Sequence, residues 1–259
     1  MSVLQQANPT LDSMDAVDLA PVHAAITEGR LKHVAMIMDG NRRWAKANNK
    51  PPAQGHYEGF LAFKNLLTYC IDTLKLPVMT VYAFSTENWR RESWEVQFLL
   101  KFLGFALKRE LKTMKAKNVQ FRVLGDITAF PDELRKVCEK SLEETKDNTG
   151  LILQVAINYG GRAEMLRAVQ QIAAQVKADT LKLEDITDEL VSKTLYSGTA
   201  PDPDLIIRTG GEQRLSNFLL WQGAYAEISF RNEYWPEFTP TRLNETLLDF
   251  VNRNRRMGR

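Results

Sequence analysis

Runs of consecutive apolar residues alternate along the chain with longer stretches of helical character. The strand-like runs are Val34–Met38, Val78–Phe84, Val119–Leu124, Leu151–Ile157, Leu205–Ile207 and Glu227–Phe230. The helical stretches between them are Gly59–Leu76, Glu92–Lys117, Pro131–Thr145, Ala163–Ala178 and Thr187–Leu195. This alternation predicts a single α/β domain with a central, mainly parallel six-stranded sheet flanked by helices. Near-continuous apolar runs are typical of strands that are buried on both faces.

Polar residues follow the ends of several of these runs. Asp39 and Ser85 follow the first two runs, and Asn158 and Arg208 follow two later ones. In open parallel sheets, ligands bind beyond the carboxyl ends of the strands. We therefore expect these four residues to share one cleft.

The two strongest patterns join a buried strand to a charged turn. Val34–Lys46 ends its strand on Asp39, followed by a glycine, an asparagine and two arginines at the start of a helix. A carboxylate there can hold a divalent metal, and helical N–H groups with guanidinium groups can hold a phosphate. Leu205–Phe230 places Arg208 at a strand end before a Gly-Gly pair. Together the patterns indicate diphosphate chemistry, although an ordinary strand–turn–helix corner with Asp39 as a cap explains the first one locally.

One helical stretch, Val96–Leu107, is apolar almost all round. Such a helix is buried on every side or lines an apolar cavity. Gly59–Leu76 is also rich in bulky apolar residues. Periodicity alone favours core packing with a subunit interface over a lipid tunnel, and both remain open at this point.

Composition and charge narrow the class of protein. Charged residues make up 25% of the 259 residues and the net charge is only +2, so no global basic field indicates nucleic-acid binding. Cys70 and Cys138 lack metal-site spacing and are expected to be free thiols.

No apolar run reaches membrane-spanning length and no signal peptide is apparent, so a cytoplasmic protein is expected. Residues 1–25 are interpreted as a mobile extension and residues 26–259 as the catalytic domain.

Five motifs together resemble the cis-prenyltransferases, a family that includes the undecaprenyl diphosphate synthases. They are MDGNRRWAK at 38–46, Gly-His at 55–56, FSTENWRR at 84–91, NYGGR at 158–162 and IRTGGEQRLSNFLLWQ at 207–222. The resemblance implies successive condensation of isopentenyl diphosphate onto farnesyl diphosphate, giving a long-chain Z,E-polyprenyl diphosphate of undecaprenyl length. Such a product is a carrier-lipid precursor for peptidoglycan and other cell-wall polysaccharides. The family's fold encloses the growing chain in an apolar tunnel between two helices and the sheet.

The resemblance also implies roles for individual residues. Those implied to bind the allylic diphosphate, or to lie beside its site, are Gly40, Asn41, Arg42, Arg43, Trp44, His56 and Arg91. Those implied to bind isopentenyl diphosphate are Arg208, Arg214, Leu215 and Ser216, and Ser85, Thr86, Glu87 and Trp89 belong to a loop over the site. Asp39 and Glu227 are the implied Mg²⁺ ligands. From the residues alone, pairing of Arg208 and Arg214 with the intervening Glu212 is the structural alternative to anion binding.

Asp39 and Asn88 are the candidate catalytic residues. Asn88 stands where the family is often assigned proton removal. A neutral amide has no useful basicity near neutral pH. Positioning the isopentenyl group, or relaying a proton to a phosphate oxygen, is chemically easier.

Two departures from the family pattern affect the first diphosphate site. Arg42 stands where bacterial members usually carry glycine, and Pro52 stands where an arginine commonly reaches the diphosphate. Proline has no donor to offer a phosphate. We expect Arg42 to compensate in part.

Partners follow from the same resemblance. The C-terminal Arg256–Gly258 resembles an element that reaches the partner's site in a homodimer, and a transient contact with the membrane surface would release the lipid. A nucleotide phosphotransferase is disfavoured because neither GxxxxGK[ST] nor GxGxxG is present. A non-catalytic partner subunit is disfavoured because Asp39, Asn88, Arg208, Arg214 and Glu227 are all retained.

Overall fold

A computed structural model describes residues 18–253 of the chain. Its strands are β1 (His33–Ile37), β2 (Val78–Ser85), β3 (Gln120–Leu124), β4 (Ile152–Tyr159), β5 (Leu205–Arg208) and β6 (Glu227–Phe230). Its α-helices are α1 (Ala20–Thr27), α2 (Asn41–Ala47), α3 (Pro52–Tyr69), α4 (Ser93–Ala116), α5 (Asp132–Thr145), α6 (Gly161–Lys177), α7 (Asp188–Thr194) and α8 (Pro240–Asn252). Short 3₁₀ turns cover Thr86–Arg90, Leu183–Asp185 and Trp235–Glu237.

The strands form one parallel sheet in the order β3-β4-β2-β1-β5-β6. This confirms the predicted α/β fold and all six predicted strands. β1 lies inside the sheet between β2 and β5, and each of its five residues is buried. The carboxyl ends of β1 and β5 are adjacent because Ile37 is in register with Arg208. The residues that follow these two strands are therefore neighbours in space.

The prediction for the helix over Gly59–Leu76 is wrong at its start. α3 begins at Pro52, where the ring occupies the first helical turn and the missing N–H costs no helical hydrogen bond. The Asn-Asn-Lys-Pro-Pro segment therefore ends α2 and also starts α3. At its other end α3 continues into a π-helical turn over Cys70–Leu74.

The hydrophobic core covers both faces of the sheet. On one face it includes side chains of α1, α3, α4, α5 and α8, and on the other it includes Tyr159, Phe218 and Leu219. Within residues 18–253, no helix is long and apolar enough to cross a membrane. The predicted extension lies outside the described residues up to residue 17, and its last part belongs to α1, whose Val22 and Ala25 are buried.

Candidate active site

Asp39 lies beyond the end of β1 and is held by two arginines. Its Oδ2 accepts from Arg208 Nη2 at 2.9 Å, and its Oδ1 lies 3.0 Å from Arg43 Nη2. The Thr209 hydroxyl bonds both the Asp39 carbonyl oxygen, at 2.7 Å, and the Asp39 N–H, at 3.1 Å. The carboxylate is thereby fixed at the junction of β1 and β5.

The same arginines keep Asp39 ionised. Burial by itself would raise its pKa, but the hydrogen bonds and positive charges of Arg208 and Arg43 outweigh that effect, and the net pKa lies below the usual range. An ionised carboxylate at neutral pH is what a hard divalent cation requires of a ligand.

Gly40 makes the turn from β1 into α2. Its φ of +108° is accessible to glycine, and a Cβ there would lie 2.8 Å from the Tyr234 ring and 3.0 Å from the Tyr234 Cα. The turn places the start of α2, with Asn41, Arg42 and Arg43, beside Asp39. The glycine is therefore required by the shape of the site.

Basic residues surround a cavity of about 650 Å³ next to Asp39, called here the anion cavity. Its lining is Met38, Asp39, Gly40, Asn41, Arg42, Arg43, Lys46, Lys50, Pro52, His56 and Arg91. The structure thus brings together almost all residues implied for the first diphosphate. Trp44 lies on α2 outside this lining. The sequence analysis did not predict Lys46 and Lys50 as site residues, because exposed lysines near a helix end carry no distinctive signal.

Glu95, in the first turn of α4, was also missed. Its buried carboxylate accepts from Arg91 Nη1 at 2.7 Å and lies 3.2 Å from Arg42 Nη1. One carboxylate therefore orients two of the guanidinium groups of the anion cavity. No sequence signal indicated this, because Glu95 occupies an ordinary first-turn position where acidic residues are common.

His56 lies where the anion cavity meets the apolar interior. Burial, reinforced by the positive charge of Arg91, lowers its pKa to about 4. Its ring packs against Phe98 with centroids 6.0 Å apart. Without a bound anion, His56 is therefore uncharged at neutral pH.

Arg208 organises the loop after β5. Its Nη1 donates to the Arg214 carbonyl oxygen at 2.5 Å and to Ser216 Oγ at 2.7 Å, and the residue is only 5% exposed. Its Nε is buried without a hydrogen-bond partner among the described residues. Leu215, between Arg214 and Ser216, packs partly buried against the apolar cluster of this face.

The structure contains an ion pair between Arg214 and Glu212, which the sequence analysis gave as the alternative to anion binding. Arg214 Nη1 lies 2.5 Å from Glu212 Oε2, and Arg43 Nη1 lies 3.4 Å from Glu212 Oε1. Arg208 pairs instead with Asp39. Arg214 thus carries an exposed ion pair, which an incoming anion can exchange at little cost.

The 3₁₀ turn Thr86–Arg90 is held by its own side chains. Asn88 Oδ1 accepts from the Ser85 N–H at 3.0 Å, which caps the turn. Glu87 accepts from Asn217 Nδ2 at 2.9 Å, and Trp89 Nε1 donates to Asn158 Oδ1 at 2.8 Å. Thr86 lies against Gly160, where a Cβ would approach its hydroxyl to 2.7 Å. The amide oxygen of Asn88 is thus occupied by the loop, which supports a positioning role.

Glu227 lies away from the other site residues. It is the first residue of β6 and is in register with Leu205, whereas Asp39 follows the far ends of the strands beyond Arg208. Three strand residues correspond to about 10 Å. Glu227 also pairs with Arg253 at 3.1 Å. Within one chain the structure does not bring Glu227 and Asp39 to a common ion.

An apolar cavity of about 150 Å³ lies next to the anion cavity, between α3, α4 and the sheet. Side chains such as Phe60, Phe102, Leu103 and Val155 line it. Met38, Asn41 and His56 line both cavities. The two cavities together suit an amphipathic molecule with an anionic head and an apolar tail.

The donor set fits a divalent cation held largely by its substrate. No group of three or more His, Cys, Asp or Glu side chains that could hold a metal occurs within residues 18–253. Asp39 supplies one ionised carboxylate at the edge of the anion cavity. Mg²⁺ is typically bound by one or two carboxylates together with substrate phosphates and water, which Asp39 and a diphosphate satisfy.

Comparisons with known proteins agree with this geometry. The family model described as "Putative undecaprenyl diphosphate synthase" matches residues 37–258. An isoprenyl transferase of Halalkalibacterium halodurans is 46% identical over 92% of this chain and 93% of its own. The ditrans,polycis-undecaprenyl-diphosphate synthase ((2E,6E)-farnesyl-diphosphate specific) of Micrococcus luteus is 44% identical over 88% and 91%.

A solved structure shares the fold. Lavandulyl diphosphate synthase from Lavandula x intermedia, in complex with dimethylallyl diphosphate, superposes with a TM-score of 0.85 at 32% identity. The match covers 88% of this chain and 98% of that one. On the motifs, the paired cavities and these matches, the chain belongs to the undecaprenyl diphosphate synthase family of prenyltransferases.

Proposed function

We propose that this protein condenses isopentenyl diphosphate successively onto farnesyl diphosphate to give a long-chain Z,E-polyprenyl diphosphate of undecaprenyl length. The observation that carries the proposal is the wall shared by the anion cavity and the apolar cavity. A prenyl diphosphate has a highly charged head and an apolar tail, and the two cavities match these parts. Such a product serves as a precursor of the carrier lipid for peptidoglycan and other cell-wall polysaccharides.

The first diphosphate binds at the start of α2 in this proposal. The residues at the start of α2, including Arg42 and Arg43, line the anion cavity together with Arg91. They stabilise the negative charge that develops as the diphosphate leaves. His56 donates a hydrogen bond to the diphosphate.

The second diphosphate binds at the loop after β5. Arg208 and Ser216 are already joined by a hydrogen bond, and Arg214 exchanges its exposed contact with Glu212 for the phosphate. Holding both substrates at one end of the sheet places the reacting carbons together. The proton lost from isopentenyl diphosphate goes to a diphosphate oxygen, because Asn88 is a neutral amide engaged by the Ser85 N–H.

The family depends on a divalent metal ion, and we assign Mg²⁺ to Asp39. The ion supplies charge neutralisation at the diphosphate when bound. Asp39 would hold the ion, with its carboxylate positioned by Arg43 and Arg208. Glu227 as a second ligand stays a prediction, and a single chain does not satisfy it.

Three further predictions concern the protein's setting. A homodimer is predicted from the family resemblance, and the predicted reach of Arg256–Gly258 to the partner site lies outside the described residues. A cytoplasmic location is supported by the buried free thiols of Cys70 and Cys138. A transient contact with the membrane surface follows from a product that is too apolar to leave into water.

The test is product analysis with farnesyl diphosphate, labelled isopentenyl diphosphate and Mg²⁺. We expect a long polyprenyl diphosphate from the unaltered chain and at least a hundredfold less from Asp39→Ala, because one preorganised charged group contributes about 3 kcal/mol or more. Asp132→Ala, which removes an exposed carboxylate on α5, is the matched control and keeps full activity.

The opposite outcome has a clear meaning. A folded, unaltered chain that elongates no allylic diphosphate refutes the proposal and favours a non-catalytic partner subunit. If Asp39→Ala and the unaltered chain give equal amounts of product, only the proposed role of Asp39 is refuted and the proposed function stands.

A further inference from the structure

The glycine pair that joins β4 to α6 makes room for the side chain of Asn217. A Cβ on Gly160 would lie 2.7 Å from Asn217 Nδ2, and a Cβ on Gly161 would lie 3.2 Å from the Asn217 carbonyl oxygen. Asn217 belongs to the loop after β5, directly after Ser216. None of the roles given to the two diphosphates or the metal uses these glycines or Asn217.

Asn217 joins three segments that are distant in the sequence. Its carbonyl oxygen accepts from the Gly161 N–H at 2.7 Å, and its Oδ1 accepts from the Arg162 N–H at 2.9 Å. Its Nδ2 donates to Glu87 Oε1 at 2.9 Å. The residue therefore connects the loop after β5 with the start of α6 and with the 3₁₀ turn Thr86–Arg90.

The start of α6 gives this connection a firm support. The first N–H groups of an α-helix have no partner within the helix, and Asn217 accepts from two of them. The N-cap residue Gly160 has no side chain that could do so. Because α6 is 17 residues long and buries Ala168 and Ile172, its start is a fixed point for the loop after β5.

The backbone next to Asn217 needs such support. Ser216 has a φ of +51° and Asn217 a φ of +65°. This left-handed region is unfavourable for residues with a side chain, although asparagine tolerates it better than most. Such a conformation persists only where surrounding contacts fix it. The contacts of Asn217 therefore help to hold Ser216, whose hydroxyl accepts from Arg208 at 2.7 Å.

The two loops that Asn217 connects hold the two ends of one substrate in the proposed function. Arg208 and Ser216 bind the diphosphate of isopentenyl diphosphate, and Asn88 in the 3₁₀ turn positions its isopentenyl group. The distance between the loops therefore sets where the reacting carbon lies. A misplacement of about 1 Å can cost roughly a hundredfold in rate.

From these contacts we infer that Asn217 is a positioning residue for isopentenyl diphosphate and acts through Ser216 and Glu87. The inference rests on the proposed function and adds a residue that sets the geometry of the second substrate. A purely structural role, capping α6, would change stability without affecting one substrate more than the other.

The test breaks the contact between Asn217 and Glu87 from each side. Asn217→Asp keeps an acceptor for the Arg162 N–H and tolerates the positive φ, but its carboxylate repels Glu87. Glu87→Ala removes the acceptor from an exposed residue and leaves the cap of α6 intact. The two variants change the local charge in opposite directions, so repulsion of the diphosphate cannot raise KM in both.

Steady-state incorporation of label, with each substrate varied in turn, measures the effect. We expect the KM for isopentenyl diphosphate to rise about tenfold or more in both variants. The KM for farnesyl diphosphate stays within about twofold, because Arg42 and Arg91 are held by Glu95 and not by this contact.

A double variant restores the contact with its donor and acceptor exchanged. In Asn217→Asp/Glu87→Gln the introduced amide donates to the introduced carboxylate, and the total charge equals that of the unaltered chain. We expect its KM for isopentenyl diphosphate to return to within about threefold of the original value. Urea unfolding of Asn217→Asp should show no loss of stability, because a carboxylate is favourable at a helix N-terminus.

Asn118 is the matched control. It also has a positive φ, +56°, and its Oδ1 accepts from the Thr149 N–H and its Nδ2 donates to Thr149 Oγ1, both at 3.0 Å. It precedes β3, at the end of the sheet away from Asp39. Asn118→Asp keeps both KM values of the unaltered chain.

The outcomes are separable. The inference is overturned by an unchanged KM for isopentenyl diphosphate in both single variants, by a rise in Asn217→Asp with a fall in Glu87→Ala, by a double variant no better than Asn217→Asp, or by an equal rise in Asn118→Asp. Each of these leaves the proposed function intact, because the unaltered chain still makes product. No incorporation by the unaltered chain overturns the proposed function and the positioning role together. If Asn217→Asp does not fold, Glu87→Ala decides.

Discussion

At the scale of single residues, a substitution of Glu95 is the most direct test of how the arginines of the anion cavity are oriented. Its carboxylate contacts Arg42 and Arg91, and both guanidinium groups face the cavity. Glu95→Gln keeps the shape and removes the charge, so both arginines lose a charge-assisted hydrogen bond worth about 1.5 kcal/mol or more. We expect the KM for farnesyl diphosphate to rise about tenfold, with a much smaller change in kcat.

Steady-state kinetics with varied allylic diphosphate measures this split. Glu144→Gln, which removes the charge of a carboxylate outside the site, is the control and keeps both constants. A fall in kcat at constant KM would contradict the orienting role of Glu95.

The residues that the sequence could predict are those at strand ends. Asp39 and Arg208 each terminate an apolar run, and parallel strands bring such positions to one edge. Glu95, Lys46 and Lys50 were not predictable, because their roles depend on how α2, α3 and α4 pack around one cavity. Glu227 shows the converse, since the family pattern grouped it with Asp39 while the strand register separates them.

At the scale of elements, the start of α2 depends on Gly40. A Cβ at this position would collide with Tyr234 and would also have to adopt a positive φ. We expect Gly40→Ala to lower the free energy of unfolding by about 2 kcal/mol and to reduce product formation strongly, because α2 carries Arg42 and Arg43. Chemical denaturation and product assay measure the two effects.

A substitution at Gly198 serves as the control, because it introduces backbone strain without a collision. It has a φ of +58°, and a Cβ there would meet nothing within 4 Å. Gly198→Ala should cost about 1 kcal/mol and leave product formation unchanged. Equal losses of activity in the two variants would mean that the contact with Tyr234 does not position α2.

Elements were more predictable than their boundaries. The six strands were evident because short apolar runs that alternate with helical stretches are typical of the buried strands of a parallel sheet. The start of α3 was not, because prolines at 51–52 are as compatible with the end of one helix as with the first turn of the next. The π-helical turn at Cys70–Leu74 leaves no local sequence signal, since it depends on packing at the end of α3.

At the scale of the whole molecule, stability should depend on pH through His33. This buried residue of β1 lies within hydrogen-bond distance of the Pro201 carbonyl oxygen, at 2.7 Å, and of Thr80 Oγ1, at 2.6 Å. Burial lowers its pKa to about 4 from an ordinary value of 6.5. Between these values the unfolded chain binds more protons, so the free energy of unfolding rises with pH in this window.

Because of His33, we expect the free energy of unfolding to fall by ~2 kcal/mol when the pH falls from about 6.5 to about 4.5. Urea unfolding at a series of pH values measures it. His56, with its pKa also lowered to about 4, adds a loss of the same sign. In His33→Gln, the free energy of unfolding should depend less steeply on pH, by the equivalent of about one bound proton. A pH dependence identical to that of the unaltered chain would refute the assignment.

Five basic side chains facing one carboxylate make the anion cavity attract diphosphates before they touch it. This attraction reaches about a Debye length, ~10 Å at 0.1 M salt, and weakens as ions accumulate. The apolar cavity is little affected by such screening because its lining is mostly apolar and carries few charges. Ionic strength therefore governs how often the enzyme captures a substrate, while dissolved ions leave the packing of the substrate's apolar tail largely unchanged.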